Sequence, residues 1–502
     1  MKAVPAVSAL LAGLLLPLAL APFNLWPLAI VSVAILFWCI QSAGAGEAFW
    51  LGWLYGVGKY ALGVSWVYVS IHQYGHASLP LAAFLVLIFV ASLAFFPALA
   101  IWFYARFLRM QSGLLSGISF AVVLVLLEWI LTWVMTGFPW LYHGYAFLET
   151  PLAHWAPLGG VLCVSFMVLL SGALLVVLIR EPRSRGMAAV LLLLPWVGGA
   201  LLSLPHWVTP VASAQVVLVQ GNIDQESKWR QQSVQPIIDR YLRLSEGQWG
   251  KDLIIWPEAA LTLFRFQAEP LLQRLNRRGQ QSGTTLVLGI PDLDVVPGEG
   301  RVFRNSAIAL GTGSGQYIKQ RLVPFGEYVP LQSLLRGLIE FFDLPMSHAE
   351  PGAPGQPPLR AGDWRLAMAI CYEIVYPELV RQASAEADLI VTLSNDSWFG
   401  RSIGPLQHMQ MARMRALENG RYLLRGTNNG VTAIVDEQGA ITRRLPQFVE
   451  GVLEGEFTVM AGSTPYTRFG FLPWLLVLWL WVVSGMIAVL HQQYRHPKPQ
   501  RQ

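Results

Sequence analysis

Charge is what this chain has least of. Only 13% of its 502 residues are Asp, Glu, Lys or Arg, against about 25% in a soluble domain. That deficit excludes a protein that is water-soluble along its whole length. Cysteine is nearly absent too, with three in all. Cys39 and Cys163 lie inside long apolar runs, and Cys371 stands alone in the polar part of the chain. A disulfide framework there is therefore excluded. No basic stripe with interleaved aromatics occurs, so the net charge of +5 reads as membrane-flanking Lys and Arg and not as a nucleic-acid surface. The sequence has no zinc spacing, phosphate loop or dinucleotide fingerprint, and no metal or cofactor is expected. His72 and His76 have helical ligand spacing, but no third ligand is evident in that loop, so they read as polar loop residues. Internal repeats are missing, and the only biased tract is the Pro/Gly-rich stretch 351–358.

What the chain does have is long apolar runs and 20 tryptophans. A spanning helix needs about 20 mostly apolar residues, and only helices satisfy their own backbone in lipid this way. Eight spans are expected, near 6–22, 25–41, 50–70, 80–104, 114–135, 157–179, 187–205 and 469–490. With the N-terminus inside, the cytoplasmic segments carry Lys2, Arg106, Arg109, Arg180, Arg183, Arg185, Arg495, Lys498 and Arg501. The outer loops at 71–79 and 136–156 have neither Lys nor Arg. That asymmetry follows the positive-inside rule and puts residues 206–468 outside the cytoplasm. Lys2 and Ala19-Leu20-Ala21 also fit a cleavable leader, which would leave the later orientation unchanged. Lys59 and Glu128 are charges within expected spans, too few for a transport path.

The expected organisation is a membrane domain over 1–205, an exported domain over 213–462 and a final span over 469–490. From 214 onward short β-branched runs alternate with amphipathic stretches. Strands are expected at 215–220, 253–256, 285–290, 389–394 and 421–427, and helices at 232–246, 268–280, 373–387 and 404–419. Residues 301–310 and 315–322 read as a hairpin, and a second hairpin turns at 436–439. Buried strands alternating with helices imply a layered α/β architecture.

Three ionisable residues stand near strand ends: Glu258 after Ile254-Ile255-Trp256-Pro257, Lys319 within Tyr317-Ile318-Lys319-Gln320, and Cys371. In a layered fold such positions converge at one edge of a sheet. As a set they make chemical sense. A thiol needs a base to become a nucleophile, a carboxylate can be that base, and an ammonium can stabilise an oxyanion. Singly, each has a structural explanation: a small buried apolar residue, a helix N-terminal carboxylate, a solvated edge charge.

The words around them are more specific. Trp256-Pro257-Glu258, then Lys319 ahead of Leu322-Val323-Pro324-Phe325-Gly326-Glu327-Tyr328-Val329-Pro330, then Cys371-Tyr372-Glu373 occur in that order. This resembles the nitrilase (carbon–nitrogen hydrolase) superfamily, whose members use a Glu-Lys-Cys triad on an αββα sandwich. Together with the membrane spans, Ser394-Asn395-Asp396-Ser397-Trp398-Phe399-Gly400 makes nearly the whole chain similar to the bacterial apolipoprotein N-acyltransferases. The resemblance implies transfer of an acyl chain from a phospholipid, through a Cys371 thioester, to the α-amino group of a lipoprotein's diacylglyceryl-cysteine. It makes Glu258 the general base and Lys319 the oxyanion stabiliser, with Glu327, Tyr372, Glu373, Asn305 and Trp229 in support. The implied partners are the phospholipid and the diacylated apolipoprotein, acting on a monomer in the bacterial inner membrane with its catalytic domain in the periplasm. Turn and cap support is the plainer reading of Glu327 and Glu373.

Two apolar stretches, 261–266 and 338–346, suit a membrane surface if exposed and ordinary core if not. Two other functions remain open at this level. One is a membrane-anchored amidase using the same triad with water. The other is a transporter or receptor whose exported domain binds a ligand and has no use for Cys371.

Overall fold

A computed structural model describes residues 3–296, 300–329 and 349–495. The expected apolar stretch 338–346, Pro330 and the basic tail residues Lys498 and Arg501 lie outside them. The chain forms two compact units. One comprises 1–65, 83–206 and 469–502; the other comprises 66–82 and 207–468.

The first unit is helical. Its helices run Ala3–Ala19, Pro27–Ile40, Ala45–Gly63, Ala156–Arg180, Arg185–Leu202 and Leu472–Arg495, with Gly113–Ile130 and most of Leu79–Phe103 among them. Five described helical stretches are long and apolar enough to cross a membrane: 79–108, 113–130, 151–180, 182–202 and 472–492. Ala3–Ala19 and Pro27–Ile40 are apolar but shorter. Small residues let backbones meet here, as is common in membrane bundles. A Cβ on Gly13 would strike the Tyr55 carbonyl, and one on Gly58 would strike that of Leu10. The run expected as one span over 50–70 instead breaks at Gly63, and residues 66–82 fold with the second unit.

The second unit is built on two sheets. Strands β1 (Val208–Gln220), β2 (Leu253–Ile255), β3 (Thr285–Val296), β4 (Gly300–Gly311), β6 (Gln316–Ile318) and β13 (Gly451–Gly462) form one, in the order β13-β1-β2-β3-β4-β6. Strands β5 (Gly313–Ser314), β7 (Leu359–Ala361), β8 (Trp364–Ile370), β9 (Leu389–Ser394), β10 (Leu423–Thr427), β11 (Ala433–Val435) and β12 (Ile441–Arg444) form the other, in the order β12-β11-β10-β9-β8-β7-β5. At the centres, β1-β2-β3 and β8-β9-β10 run parallel.

Period-two alternation explains the layering. Val216, Leu218, Leu253, Ile255 and Val287 share one core with Leu366, Met368, Ile370, Val391 and Leu424 from the other sheet. Val217, Val219, Ile254 and Leu286 point the other way, onto helices Val234–Ser245 and Arg265–Ser282. Strands buried on both faces read as unbroken apolar runs, which is how they stand out in the sequence. Helices Pro377–Ala385 and Gly404–Asn419 belong to the second sheet's side, the first contacting β8 and the second β10. The result is an αββα sandwich. The expected hairpin 301–310/315–322 is only part of the pairing, because β4 pairs along its whole length with β3 and only briefly with β6.

Candidate functional site

The expected triad residues do not share one sheet edge. Glu258 follows β2 and Lys319 follows β6 of the first sheet, whereas Cys371 follows β8 of the second. Both sheets present the carboxyl ends of their parallel strands to the same place, the usual location of sites in open α/β sheets. Asn395, just beyond β9, and Asn428, just beyond β10, join the rim. Asn428 donates to the Ile223 carbonyl at 2.7 Å and to Asn395 at 3.1 Å, tying the end of β1 to the ends of β9 and β10.

Glu258 is held from three sides. One carboxylate oxygen accepts from Asn305 at 2.8 Å and from the Lys319 ammonium at 3.3 Å. The other accepts from the Asn395 backbone N–H at 2.8 Å. The loop carrying it is pressed against Gly289, where a Cβ would come within 2.7 Å of Pro257, Glu258 and Ala259 backbone atoms. Trp256 anchors the loop by stacking on Tyr241 and donating to Ser245 at 2.9 Å.

Lys319 is 1% exposed and sits between two carboxylates, 2.7 Å from Glu327 and 3.3 Å from Glu258. Burial alone would favour the neutral amine, but the adjacent Glu327 and Glu258 outweigh it and raise the ammonium above its ordinary range. Glu327 also accepts from Asn305 at 3.2 Å and from the Val323 N–H at 2.9 Å. Asn305 and Glu327 thus belong to the Glu258–Lys319 cluster.

Cys371 is a buried free thiol with φ +53°, a left-handed conformation costly for a residue with a Cβ. Burial pushes the thiol up to about 12; Glu258 adds to that, and Lys319 opposes it. The resting group is therefore a thiol beside a permanent ammonium. Glu373 explains much of the local rigidity. One of its oxygens accepts from the Ile370 N–H at 2.7 Å; the other accepts from Gln320 N–H at 2.6 Å, Arg321 N–H at 3.0 Å and Tyr317 hydroxyl at 3.0 Å. It caps its own turn and also holds the backbone beside Lys319. Tyr372 is buried, its ring edge-on to Tyr376 at 5.3 Å. Trp229 is 39% exposed. Its neighbour Lys228 is buried and donates to the Glu258 carbonyl at 3.3 Å.

Sequence reasoning missed several members. Asn395 acts through a backbone N–H, which no residue type announces. Asp396, His408 and Arg425 form a fully buried cluster beside Cys371. A charge inside the apolar strand run Leu423-Leu424-Arg425 was the available signal, because Arg is rarely buried without a partner.

The remaining singled-out residues lie elsewhere. Leu261 is core, whereas Phe266 is exposed and stacks on Phe264. Glu128 accepts from the His143 ring at 2.7 Å and its N–H at 3.0 Å, and His143 reaches Tyr55 at 3.2 Å. Lys59 is buried. His72 pairs with the Ala77 carbonyl at 2.8 Å.

A carboxylate, an ammonium and a thiol at strand ends of an αββα sandwich define a nitrilase-like hydrolase domain, and residues 215–466 match the carbon-nitrogen hydrolase family. Residues 12–174 match the apolipoprotein N-acyltransferase N-terminal domain. An apolipoprotein N-acyltransferase of Azotobacter vinelandii is 50% identical over 96% of this chain and 93% of its own. Proteins of the same name from Pseudomonas aeruginosa (47%; 96% and 94% covered) and Vibrio parahaemolyticus (41%; 94% and 94% covered) are also similar. This chain belongs to the apolipoprotein N-acyltransferase family.

Proposed function

We propose that this protein transfers an acyl chain from a phospholipid, through a thioester on Cys371, to the α-amino group of the diacylglyceryl-cysteine that begins a lipoprotein. The observation that carries the residue roles is the pairing of Lys319 with Glu258 at 3.3 Å and Glu327 at 2.7 Å, beside a thiol that burial keeps protonated, with Glu258 adding to that and Lys319 opposing it.

The chemistry follows from the protonation states. Glu258 takes the thiol proton as Cys371 sulfur attacks the ester carbonyl. The oxyanion forms against the Lys319 ammonium and a backbone N–H next to Cys371. Collapse breaks the ester C–O bond, and Glu258 returns the proton to the departing lysophospholipid oxygen. The lipoprotein amine then attacks the thioester, Glu258 accepts its proton, and the thiol leaves re-protonated. Neither lipid needs to share the pocket with the other, and ping-pong kinetics result. Glu327 keeps Lys319 charged and in place, and Asn305 orients both carboxylates.

Residues 66–82, between two apolar helices, fold with the catalytic unit. Trp66 meets Phe399 at 4.8 Å, and Ser70 donates to the Trp398 carbonyl at 2.8 Å. That supports a catalytic domain on the same side of the membrane as this outer loop. With the basic residues, it supports a periplasmic domain carried by eight inner-membrane spans.

Incubation of the purified protein with phospholipid alone should add one acyl mass to Cys371, removable by hydroxylamine. Adding a diacylated lipopeptide with a free amine should discharge it to N-acylated product. Absence of the adduct would overturn the proposal, and free fatty acid without N-acylated product would favour hydrolysis. Lys319→Met should abolish the adduct in a protein that still inserts.

A further inference from the structure

Cys371 adopts φ +53° and opens the tight turn Cys371–Val375. Its carbonyl is not left to that turn alone. His408, 1% exposed on helix Gly404–Asn419, places Nε2 3.1 Å from the Cys371 oxygen. A carbonyl only accepts, so Nε2 carries the hydrogen. On the other side of the ring, an Arg425 nitrogen lies 3.0 Å from Nδ1 and 2.9 Å from Asp396. Asp396 Oδ1 also stands 3.2 Å from Nδ1, so this nitrogen faces both a donor and an acceptor, and Nε2 carries its hydrogen toward the Cys371 carbonyl whichever of the two it serves. Burial, and then the Arg425 charge, push His408 toward the neutral form, while Asp396 opposes them. Asp396 is fixed in turn by Ser394, whose hydroxyl donates at 2.7 Å. Phe399 packs edge-on against the ring at 6.1 Å.

The peptide after Cys371 is trans, so its carbonyl and its N–H point in opposite directions. Anchoring the Cys371 oxygen on His408 therefore also aims the Tyr372 N–H, away from His408. We propose that His408 is a positioning residue, which by holding the Cys371 carbonyl sets the Tyr372 N–H as a donor to the oxyanion formed when Cys371 attacks an acyl group. Arg425 and Asp396 hold the imidazole from its far nitrogen, so that Nε2 faces the Cys371 carbonyl. The inference rests on the reading of Cys371 as nucleophile.

Two reactions of the same thiol separate this role from mere packing. Acylation by phospholipid builds an oxyanion; alkylation by iodoacetamide does not. Both are read at Cys371 by mass in the full-length protein in mixed micelles. For His408→Phe, which keeps a ring and removes the donor, acylation should fall on the order of 100-fold, with half-saturating phospholipid nearly unchanged. Alkylation should stay within about threefold of wild type, and His408→Gln, whose amide can donate, should recover most of the loss. If the Phe variant does not accumulate, His408→Met is judged by the same criteria. Wild-type acylation rates in the donor-less variant overturn the proposal, as does a parallel fall of both reactions or failure of Gln to rescue. A wild-type protein that forms no acyl adduct overturns the nucleophile reading itself; one that acylates beside an equally fast His408→Phe overturns only the role of His408.

Discussion

Replacing Glu258 by glutamine should drive two reactions of Cys371 in opposite directions. The thiol stands at about 12 because burial, and then the Glu258 carboxylate, disfavour the thiolate more than Lys319 favours it. At pH 8 a thiol with that value is ionised in about one molecule in 10⁴. Taking away the negative charge of Glu258 leaves Lys319 paired with Glu327 alone and lowers the cost of the thiolate. Each unit by which the thiol then drops multiplies the thiolate population about tenfold, and iodoacetamide alkylation should rise with it. Acylation should collapse, by about 10²–10⁴-fold, because no group remains to take the proton as the C–S bond forms. The amide also has one acceptor where the carboxylate had two, facing Asn305 and Lys319 on one side and the Asn395 N–H on the other. Leaving one buried donor unmet costs about 1–3 kcal/mol, so melting should come earlier without loss of the fold. Both rates are measured at Cys371 by peptide mass, with Cys39 and Cys163 as internal references. Parallel loss of alkylation and acylation, or acylation near the wild-type rate, would refute the assignment of Glu258 as base.

The same electrostatics sets a pH dependence. Wild-type alkylation at Cys371 should climb about tenfold per pH unit from 7 to 10 with no plateau, whereas a thiol at the ordinary 9.0 would level off in that range. Gly289→Ala should cost about 1–3 kcal/mol of stability through overpacking, and slow acylation at least tenfold, because the new methyl displaces the backbone of Glu258; unfolding and single-turnover acylation read the two effects. Asp396→Ala leaves Arg425 buried with an uncompensated charge 2.9 Å from the lost carboxylate and should destabilise the protein by about 3–5 kcal/mol, seen as a lower melting temperature in detergent.

Much of the architecture was legible because burial on both faces leaves a strong sequence signature. The runs at β2 and β9 are largely apolar, so their positions could be read to within a residue or two. The helix Gly404–Asn419 was equally plain, ending at Gly420 with φ +60°. Two features were not legible. The division of strands between two sheets depends on long-range pairing, such as β1 with β13, more than 200 residues apart. For that reason the triad looked as if it should line one sheet edge when it straddles two. The break at Gly63 was also hidden, since residues 64–70 remain apolar enough to continue a span, while Trp66 and Ser70 pair with Phe399 and Trp398.

The site residues divide along a physical line. Side chains proposed to act through their own titratable groups, Glu258, Lys319 and Cys371, could be nominated from type and context. Groups that act through backbone atoms could not. Glu373 shows the difference within one residue. Its position in a turn suggests a cap, and it is one, through the Ile370 N–H. But its other oxygen takes the Gln320 and Arg321 N–H groups and the Tyr317 hydroxyl, so this carboxylate ties the loop after β6 to the end of β8. Glu258 makes the reverse crossing, from beyond β2 to the Asn395 N–H beyond β9. Two carboxylates, each rooted in one sheet and bonded to the backbone of the other, tie Cys371, Glu258 and Lys319 together across the two sheets. Shortening either by one methylene, as aspartate would, leaves the charge count unchanged and withdraws the carboxylate from the other sheet. Charge alone is therefore insufficient at these positions; the length of glutamate is part of the site.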